Sequence, residues 1–471
     1  MNTLNAPQAS TLDSPELAPR VGPLARPSRA VPGPRGPLSG FRIVRKPIEH
    51  TSVDFKRYGD VVGYRIGTMR IFLVVHPDGV KHVLQENHRN YVKSPDYKIL
   101  KRVLGEGLLT SENPLWLSQR RLMTPMFHRQ RIAEFGATMV DSTLKMLDKW
   151  SSLAGEGATF DVCNEMMQLT LEIVARVLFK VEIAGELAHE IGHDVTVTNE
   201  RLGQFDLGTL LPWLPTRRNR EFRRAIRSFD ALIAGMIADH RRHGEDRGDM
   251  LSLLLAARDE DTGEAMSDKQ VRDEALTLIA AGHETTANAL AWTWYLLSQN
   301  PAVEQKLHAE LAAVLGGRAP TVADLPNLRY TSMVIDESMR LYPPAWSIGR
   351  SPLADDEVLG FSVPKGASVM LSQWLTHRHP DFWENPERFD PDRFSPERSA
   401  NRPRYAYFPF GGGPRLCIGN TFALTEANLI LAAIAQKFRL RMVPGHPVEL
   451  QPLVTLRPRY GLKMTVDPAQ S

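Results

Sequence analysis

The sequence of 471 residues is poor in cysteine and contains only Cys163 and Cys417. Two cysteines cannot build the disulfide framework of a secreted domain, so a reducing compartment fits the composition best. The net charge is only +3, which argues against nucleic acid as a partner. No apolar run approaches the roughly 20 residues that span a bilayer, and the N-terminus lacks a signal-peptide pattern. We therefore predict a cytoplasmic protein without a transmembrane segment, and peripheral membrane contact stays open.

Proline and the hydrophobic pattern divide the chain into regions. Residues 1–40 contain eight prolines and few apolar clusters, which predicts a disordered or extended arm. Residues 41–471 are predicted to form a single, mainly α domain. Its β-rich parts lie at about 60–75 and 350–375, where alternating apolar residues flank Gly67 and Gly366. Helical periodicity dominates from about 115 to 340 and again after the cysteine-containing stretch, within 407–437.

The stretch "YFPFGGGPRLCIGNTFAL" places Cys417 among glycines and just before a helix. Gly413 and Gly419 have no Cβ and allow a flat ligand to approach the backbone, and Arg415 is placed to meet a ligand carboxylate. The helix N-terminus is expected to lower the pKa of the Cys417 thiol. A thiolate is one of the axial ligands that proteins offer to haem iron.

Three other roles are conceivable for Cys417. A buried structural role is the commonest one for a lone cysteine. We assign it to Cys163, whereas the glycines, Arg415 and the helix start argue against it for Cys417. A catalytic nucleophile stays open, because sequence alone does not locate a histidine base in space. A tetrahedral zinc site fails, since no second cysteine or paired histidine lies at ligand spacing.

The longest periodic segment predicts a helix from Ser267 to Gln299, in which Ser267 and Gln270 form a capping box. The Gly-His-Glu-Thr-Thr run in its middle forms helix poorly, and such a local conflict often marks a functional position. A zinc-protease motif is excluded because position 287 is alanine. The simplest role for Thr285 is a hydrogen bond to the preceding turn.

"FPFGGGPRLCIG" resembles the haem-binding signature of the cytochrome P450 family. The resemblance implies the P450 fold, with a large helical region around a long central helix and a smaller β-rich region. It also implies haem b, iron protoporphyrin IX, with the Cys417 thiolate as the metal ligand. The cofactor-binding residues that it implies are Trp116, Arg120, Ala281, Arg350, Phe410, Gly411, Arg415, Cys417 and Gly419.

Other motifs extend the resemblance over most of the chain. "DESMRLYPP" and "NPERFDPDRF" imply a buried structural cluster of Glu337, Arg340 and Arg388 that holds the cysteine loop. "AGHETT" implies that Thr285 and Glu284 are catalytic and deliver protons during dioxygen activation.

The implied activity is a haem-thiolate monooxygenase that inserts one oxygen atom of O2 into a C–H or C=C bond. The apolar variable segments predict a hydrophobic substrate such as a fatty acid, terpenoid or steroid. Trp346, Ile348 and Leu456 are the candidate substrate contacts. The resemblance is to soluble bacterial-type members without a fused reductase, so a separate ferredoxin and ferredoxin reductase are the expected electron donors. We expect a monomer.

Two alternatives stay open. One is a haem-dependent peroxygenase or isomerase of the same fold, for which Glu284 and Thr285 would not be needed. The other is a non-catalytic haem-binding protein, although the sequence shows no output domain.

Overall fold

A computed structural model describes residues 29–152, 158–181, 185–203, 211, 213–243, 248–258 and 263–469. In the first half of the chain the helices are α1 Phe41–Arg45, α2 Pro47–Tyr58, α3 Pro77–Lys81, α4 Tyr97–Leu104, α5 Leu115–Met123, α6 Arg129–Ser151, α7 Val162–Phe179 and α8 Gly185–Gly203. In the second half they are α9 Arg217–His243, α10 Met250–Ala256, α11 Asp268–Gln299, α12 Pro301–Leu315, α13 Arg329–Leu341, α14 Gln373–Thr376, α15 Pro396–Ser399 and α16 Asn420–Lys437.

The strands are β1 Val61–Ile66, β2 Met69–Val74, β3 Tyr91–Lys93, β4 Thr159–Asp161, β5 Ile348–Pro352, β6 Asp356–Val358, β7 Phe361–Val363, β8 Ser368–Leu371, β9 Phe438–Met442, β10 Leu450–Pro452, β11 Leu456–Pro458 and β12 Lys463–Pro468. The fold is therefore mainly α with a smaller β region, as predicted. Among the described residues, none of the helices combines the length and the apolar character needed to cross a bilayer.

Helix α11 runs for 32 residues through the core and packs against α7, α13 and α16. The predicted capping box is present, since Ser267 and Gln270 satisfy each other's backbone N–H groups. Most residues of its second half are buried on every side, including Leu290, Trp292 and Trp294. A helix that is apolar all round lies inside the protein, and this position brings its middle close to the cysteine-bearing region.

The largest sheet has the strand order β1-β2-β8-β5-β3. The β-rich part predicted at about 60–75 is a hairpin, in which β1 and β2 pair antiparallel around Gly67, whose φ of +59° favours glycine. The pairing of β2 with β8 is parallel, and β3 pairs antiparallel with β5. Strands from both ends of the chain therefore share one sheet, which fixes Lys93 opposite Arg350.

Residues 1–28 of the predicted arm lie outside the described residues. Residues 29–40 are packed, because Gly63 donates its N–H to the Pro32 carbonyl at 2.8 Å and Arg29 donates to Gly360 at 3.1 Å. A second contact joins the Gly67 N–H to the Pro37 carbonyl at 2.9 Å. Residues 29–40 are therefore packed rather than disordered, and the extended alternative of the predicted arm is the one that fits them.

Candidate functional site

The loop that carries Cys417 is held by its own backbone. The Cys417 N–H donates to the Phe410 carbonyl at 3.0 Å, and Gly411 and Gly413 have φ angles of +73° and +64°. A Cβ on Gly413 would lie 1.8 Å from the Leu84 carbonyl oxygen. Glycine is required at 413 because the loop packs tightly against the Leu84 carbonyl. The sequence had suggested a different reason, the approach of a flat ligand. The thiol is thereby fixed three residues before α16.

The Cys417 thiol is accessible to solvent and is nevertheless surrounded by protein, so it faces an interior space. Burial raises its pKa, and the Gly419 N–H and the Arg120 guanidinium oppose this only in part. The expectation that the helix N-terminus gives Cys417 a lowered pKa is therefore wrong for the ligand-free protein. A bound metal cation displaces the thiol proton, so the site favours a metal over free thiolate.

Four basic residues lie around the cysteine loop, and we call them the cationic cluster. Each of them donates to a backbone carbonyl: Lys93 Nζ to Ser111 at 2.6 Å, Arg120 to Leu416 at 2.9 Å, Arg350 to Gly349 at 2.8 Å and Arg415 to Ser111 at 3.2 Å. Glu112 is the one acid that forms an ion pair with the cluster within the described residues, through Arg415. The cationic cluster consequently holds more positive than negative charge.

Lys93 was missed by the sequence analysis and is the most unusual member of the cluster. It lies directly opposite Arg350 in the β3–β5 pairing, and like charges in such a cross-strand pair destabilise a sheet. Burial, reinforced by Arg415, lowers the pKa of Lys93 to about 6. Trp116 supports the cluster, since the Arg415 guanidinium carbon lies 4.4 Å from the centre of its ring.

These residues fit haem. Two carboxylates of a ligand would neutralise cations that the protein itself leaves without enough acids. The accessible, enclosed thiol of Cys417 supplies a soft ligand for the metal. The donor set and the charge therefore match a metal-bearing ligand with two carboxylates.

In the middle of α11, which is otherwise mostly buried, Ala281 is exposed and Thr285, one helical turn further on, is half-buried. The Thr285 hydroxyl donates to the Ala281 carbonyl at 2.5 Å. This is the bond that the simplest interpretation of the sequence anticipated, and it leaves the lone pairs of the hydroxyl oxygen free to accept.

Glu284 points away from Thr285 and is buried. Its carboxylate accepts hydrogen bonds from the Asn199 amide on α8 and from the Thr455 hydroxyl, the latter at 2.6 Å. Burial raises the pKa of Glu284. No local sequence pattern pointed to Asn199 and Thr455, because they come from distant segments of the chain.

A second buried acid, Glu426 on α16, also escaped the sequence analysis. It is fully buried, and burial raises its pKa to about 8 with only Thr286 acting against the shift. A protonated carboxyl therefore lies between α16 and α11 at neutral pH. The signal was present as a lone glutamate in the apolar run "LTEANLILAAIA".

A group of fully paired charges lies behind the cysteine loop, and we call it the Glu337 cluster. Arg340 forms two hydrogen bonds to Glu337, at 2.6 and 2.8 Å, and both side chains are completely buried. Arg340 also donates to three main-chain carbonyls, those of His377 at 2.9 Å, Pro386 at 2.7 Å and Arg388 at 3.2 Å.

The third arginine of this cluster differs from the prediction. The side chain of Arg393 approaches Glu337 at 3.3 Å, whereas Arg388 is exposed and contributes only its carbonyl. The assignment of the Arg388 side chain is therefore wrong. The short helical turn at Pro391–Phe394 directs Arg393 inward instead.

The three candidate substrate contacts lie in different environments. Ile348 is half-buried, and its side chain is close to Gly411 in the cysteine loop. Trp346 is half-buried and donates its indole N–H to the Leu453 carbonyl at 3.0 Å. Leu456 has no accessible surface, and its carbonyl accepts a hydrogen bond from the Trp292 indole N–H at 3.1 Å. Its assignment as a substrate contact is therefore wrong. One of the apolar variable segments from which the hydrophobic substrate was predicted spans residues 198–215, and its residues 204–210 and 212 lie outside the described residues.

Comparisons with known proteins agree with this geometry. The family model described as cytochrome P450 matches residues 37–465. The chain is 40% identical to cyclooctatin synthase of Streptomyces melanosporofaciens, over 95% of this chain and 96% of that protein. It is 37% identical to cyclooctat-9-en-7-ol 5-monooxygenase of the same organism, over 87% and 89%.

A solved structure shows the same fold. The crystal structure of the cytochrome P450DA haem domain superposes with a TM-score of 0.86 and 27% sequence identity, over 94% of this chain and 99% of that one. The match extends over both the helical region and the smaller β region. The chain belongs to the cytochrome P450 family and is an oxidoreductase of the monooxygenase type.

Proposed function

We propose that this P450 inserts one oxygen atom of O2 into a C–H or C=C bond of a terpenoid, with electrons from a separate ferredoxin and ferredoxin reductase. The observation that carries the proposal is the enclosed, accessible thiol of Cys417 combined with the Ala281–Thr285 turn of α11, where Ala281 is exposed and Thr285 half-buried. The substrate class rests on the two Streptomyces relatives, whose names refer to terpenoid chemistry.

In this proposal the cofactor is haem b, and when bound it supplies the redox iron at which dioxygen is activated. Cys417 holds the metal through its sulfur. The cationic cluster would bind the two propionates, and Trp116 would keep Arg415 in place through the contact of its ring with the guanidinium. The loop glycine Gly411 and the side chain of Phe410 complete the cradle on the thiol side.

Thr285 and Glu284 move protons during turnover. The Thr285 oxygen can accept a hydrogen bond from water, because its own proton is already given to the Ala281 carbonyl. Burial raises the pKa of Glu284, which favours its protonated form. Ala281 leaves room beside Thr285 for the substrate, and Ile348 and Trp346 form part of the apolar wall.

The direct test is a titration of the haem-loaded protein with diterpenes, sesquiterpenes, fatty acids and steroids, followed by turnover under labelled O2. We expect the haem absorption to shift with terpenes and one labelled oxygen atom to enter the product. A shift with fatty acids or steroids alone would overturn the substrate class. Product formed only with hydrogen peroxide, and not with ferredoxin and reductase, would identify a peroxygenase.

The proton-transfer role is tested with Thr285→Ala, with Thr286→Ala as a matched threonine on the same helix. We expect Thr285→Ala to keep consuming reductant while more of it is lost as hydrogen peroxide. Unchanged coupling of reductant to product in Thr285→Ala would refute the role. Equal losses in both variants would indicate a general disturbance of α11.

A further inference from the structure

Residues 105–112 connect α4 to α5 and belong to no helix or strand, and we call this segment the strap. Thr110 and Ser111 within it are buried. Buried backbone N–H and C=O groups need hydrogen-bond partners, because an unpaired group costs free energy. Several of these partners in the strap are side chains of other elements, so they show what holds it in place.

Two adjacent acids of α11 hold the first half of the strap. The Glu106 N–H donates to the Asp273 carboxylate at 2.8 Å, and the Leu108 N–H donates to Glu274 at 2.9 Å. Both acids are buried. Within the described residues the Leu108 N–H is the only donor to Glu274, whose other carboxylate oxygen has no partner. Glu274 is therefore dedicated to the strap.

Two glycines allow the strap to lie directly on α11. A Cβ on Gly107 would overlap the Thr277 hydroxyl and would come within 2.6 Å of the Asp273 carbonyl oxygen. A Cβ on Gly105 would overlap the Asp273 carboxylate. Such close approach is possible only without a side chain, so a methyl group at either position would lift the strap off the helix.

The cationic cluster holds the second half of the strap. Lys93 Nζ donates to the Leu108 carbonyl at 3.3 Å and to the Ser111 carbonyl at 2.6 Å. Arg415 donates to the same Ser111 carbonyl at 3.2 Å. A charged lysine has three N–H donors, and the strap uses two of them. One donor of Lys93 is thus left for a carboxylate of a ligand.

A single peptide plane connects the two anchors. The N–H of Leu108 meets Glu274, and its C=O meets Lys93. Carboxylates bound at the cationic cluster favour the charged form of Lys93, which donates more strongly to the strap. Burial raises the pKa of Glu274 to about 7, and the charge of Lys93 acts against that rise. A charged Lys93 therefore also favours the carboxylate form of Glu274, the stronger acceptor for Leu108.

We infer that the strap couples haem binding to α11, and that Asp273 and Glu274 are positioning residues for the cofactor although they act only through the strap. The inference rests on the proposed binding of the haem carboxylates by the cationic cluster. A coupling between two sites is reciprocal. Haem therefore protects the strap, and the two acids of α11 in turn raise the affinity for haem.

The test is hydrogen–deuterium exchange of the full-length protein, followed in peptides that cover residues 105–112 with and without haem. We expect haem to slow exchange in the strap about tenfold, a typical size for such a coupling. Glu274→Leu leaves the Leu108 N–H without its acceptor. It should accelerate strap exchange in the haem-loaded protein and also accelerate haem loss, measured by transfer to excess apomyoglobin, by about the same factor.

Two further variants separate positioning from general stability. Glu274→Gln keeps a carbonyl oxygen for the Leu108 N–H and should recover most of both effects. Gly107→Ala leaves both acids in place but lifts the strap, so it should also accelerate exchange and haem loss. The matched control is Glu426→Leu, which removes a buried acid of α16 and should leave strap exchange as in the wild type.

The outcomes distinguish this inference from the proposed function. Strap exchange that is the same with and without haem would overturn the inference and leave the proposed function intact. Equal acceleration in Glu274→Leu and Glu426→Leu would also overturn it, because any loss of a buried acid would then have the same result. A wild type that takes up no haem would refute the proposed function, and the inference with it.

Discussion

The Glu337 cluster and the cationic cluster are both groups of buried charge close to the cysteine loop, and they differ in whether the protein neutralises them. In the Glu337 cluster every strong donor of Arg340 meets a carboxylate or a carbonyl. In the cationic cluster Lys93 opposes Arg350, and Glu112 alone pairs with Arg415. A complete network supports the fold, whereas an incomplete one is completed by a ligand.

The largest expected effect comes from breaking the complete network. Glu337→Gln keeps the shape of the side chain but leaves Arg340 as a buried charge without its partner, which costs about 3–5 kcal/mol. We expect the free energy of unfolding to fall by that amount and haem incorporation to be lost with it. Urea unfolding of the haem-free protein measures the loss. A variant as stable as the wild type would contradict the structural role of the cluster.

Removing a charge from the incomplete network should have a different result. A charge-assisted hydrogen bond contributes about 1.5–3 kcal/mol, so Lys93→Met should lower haem affinity roughly tenfold or more. The stability of the haem-free protein should change little, because Lys93 forms no ion pair among the described residues and its pKa of about 6 leaves it mostly uncharged at neutral pH. Haem titration and urea unfolding measure the two quantities. The matched control is Lys98→Met, which changes an exposed lysine on α4. If Lys93→Met lowers the stability enough to account for the weaker haem binding, the role of Lys93 is structural.

The pH dependence of stability sharpens the comparison further. The pKa of Lys93 in the folded, haem-free protein is about 6, far below that of a lysine in the unfolded chain. Above about pH 6 the unfolded state therefore binds more protons, and stability rises with pH by at most about 1.4 kcal/mol per unit. The difference between wild type and Lys93→Met isolates this slope, since Arg350, Arg415, Lys101 and Glu112 keep their charges. A difference that does not change between about pH 7 and about pH 8 would show that Lys93 stays protonated.

The smallest effect is expected at Arg388. Its side chain is exposed and only its carbonyl meets Arg340, so Arg388→Gln should change stability by less than about 0.5 kcal/mol. Arg393→Gln is the informative neighbour, because it removes a guanidinium that approaches Glu337. A large loss in Arg388→Gln with none in Arg393→Gln would restore the assignment made from the sequence.

Local patterns explain what the sequence predicted well. The capping box at Ser267, the hairpin at Gly67 and the cysteine loop each depend on residues a few positions apart. Arg393, and not Arg388, reaches Glu337 because of one short helical turn. The direction of that turn does not follow from the spacing of the residues alone.

Long-range contacts explain what the sequence missed. The position of Lys93 opposite Arg350 depends on the register of β3 against β5. The environment of Glu284 depends on side chains on α8 and beside β11. The pKa of Cys417 depends on burial, which outweighed the local effect of the helix start. These properties arise when distant segments meet, so a reading of neighbouring residues does not contain them.

The packed segment 29–40 protects the protein against self-association through an edge strand. Strand β1 is an edge of the five-stranded sheet, and the free N–H groups of an edge invite another chain to add a strand. Here the Gly63 N–H is taken by the Pro32 carbonyl and the Arg65 N–H by the Ser39 hydroxyl, at 2.8 and 3.0 Å. A chain shortened to Arg29 keeps this cover. A chain that starts at Phe41 presents an open strand to its neighbours, and self-association through that edge is the result.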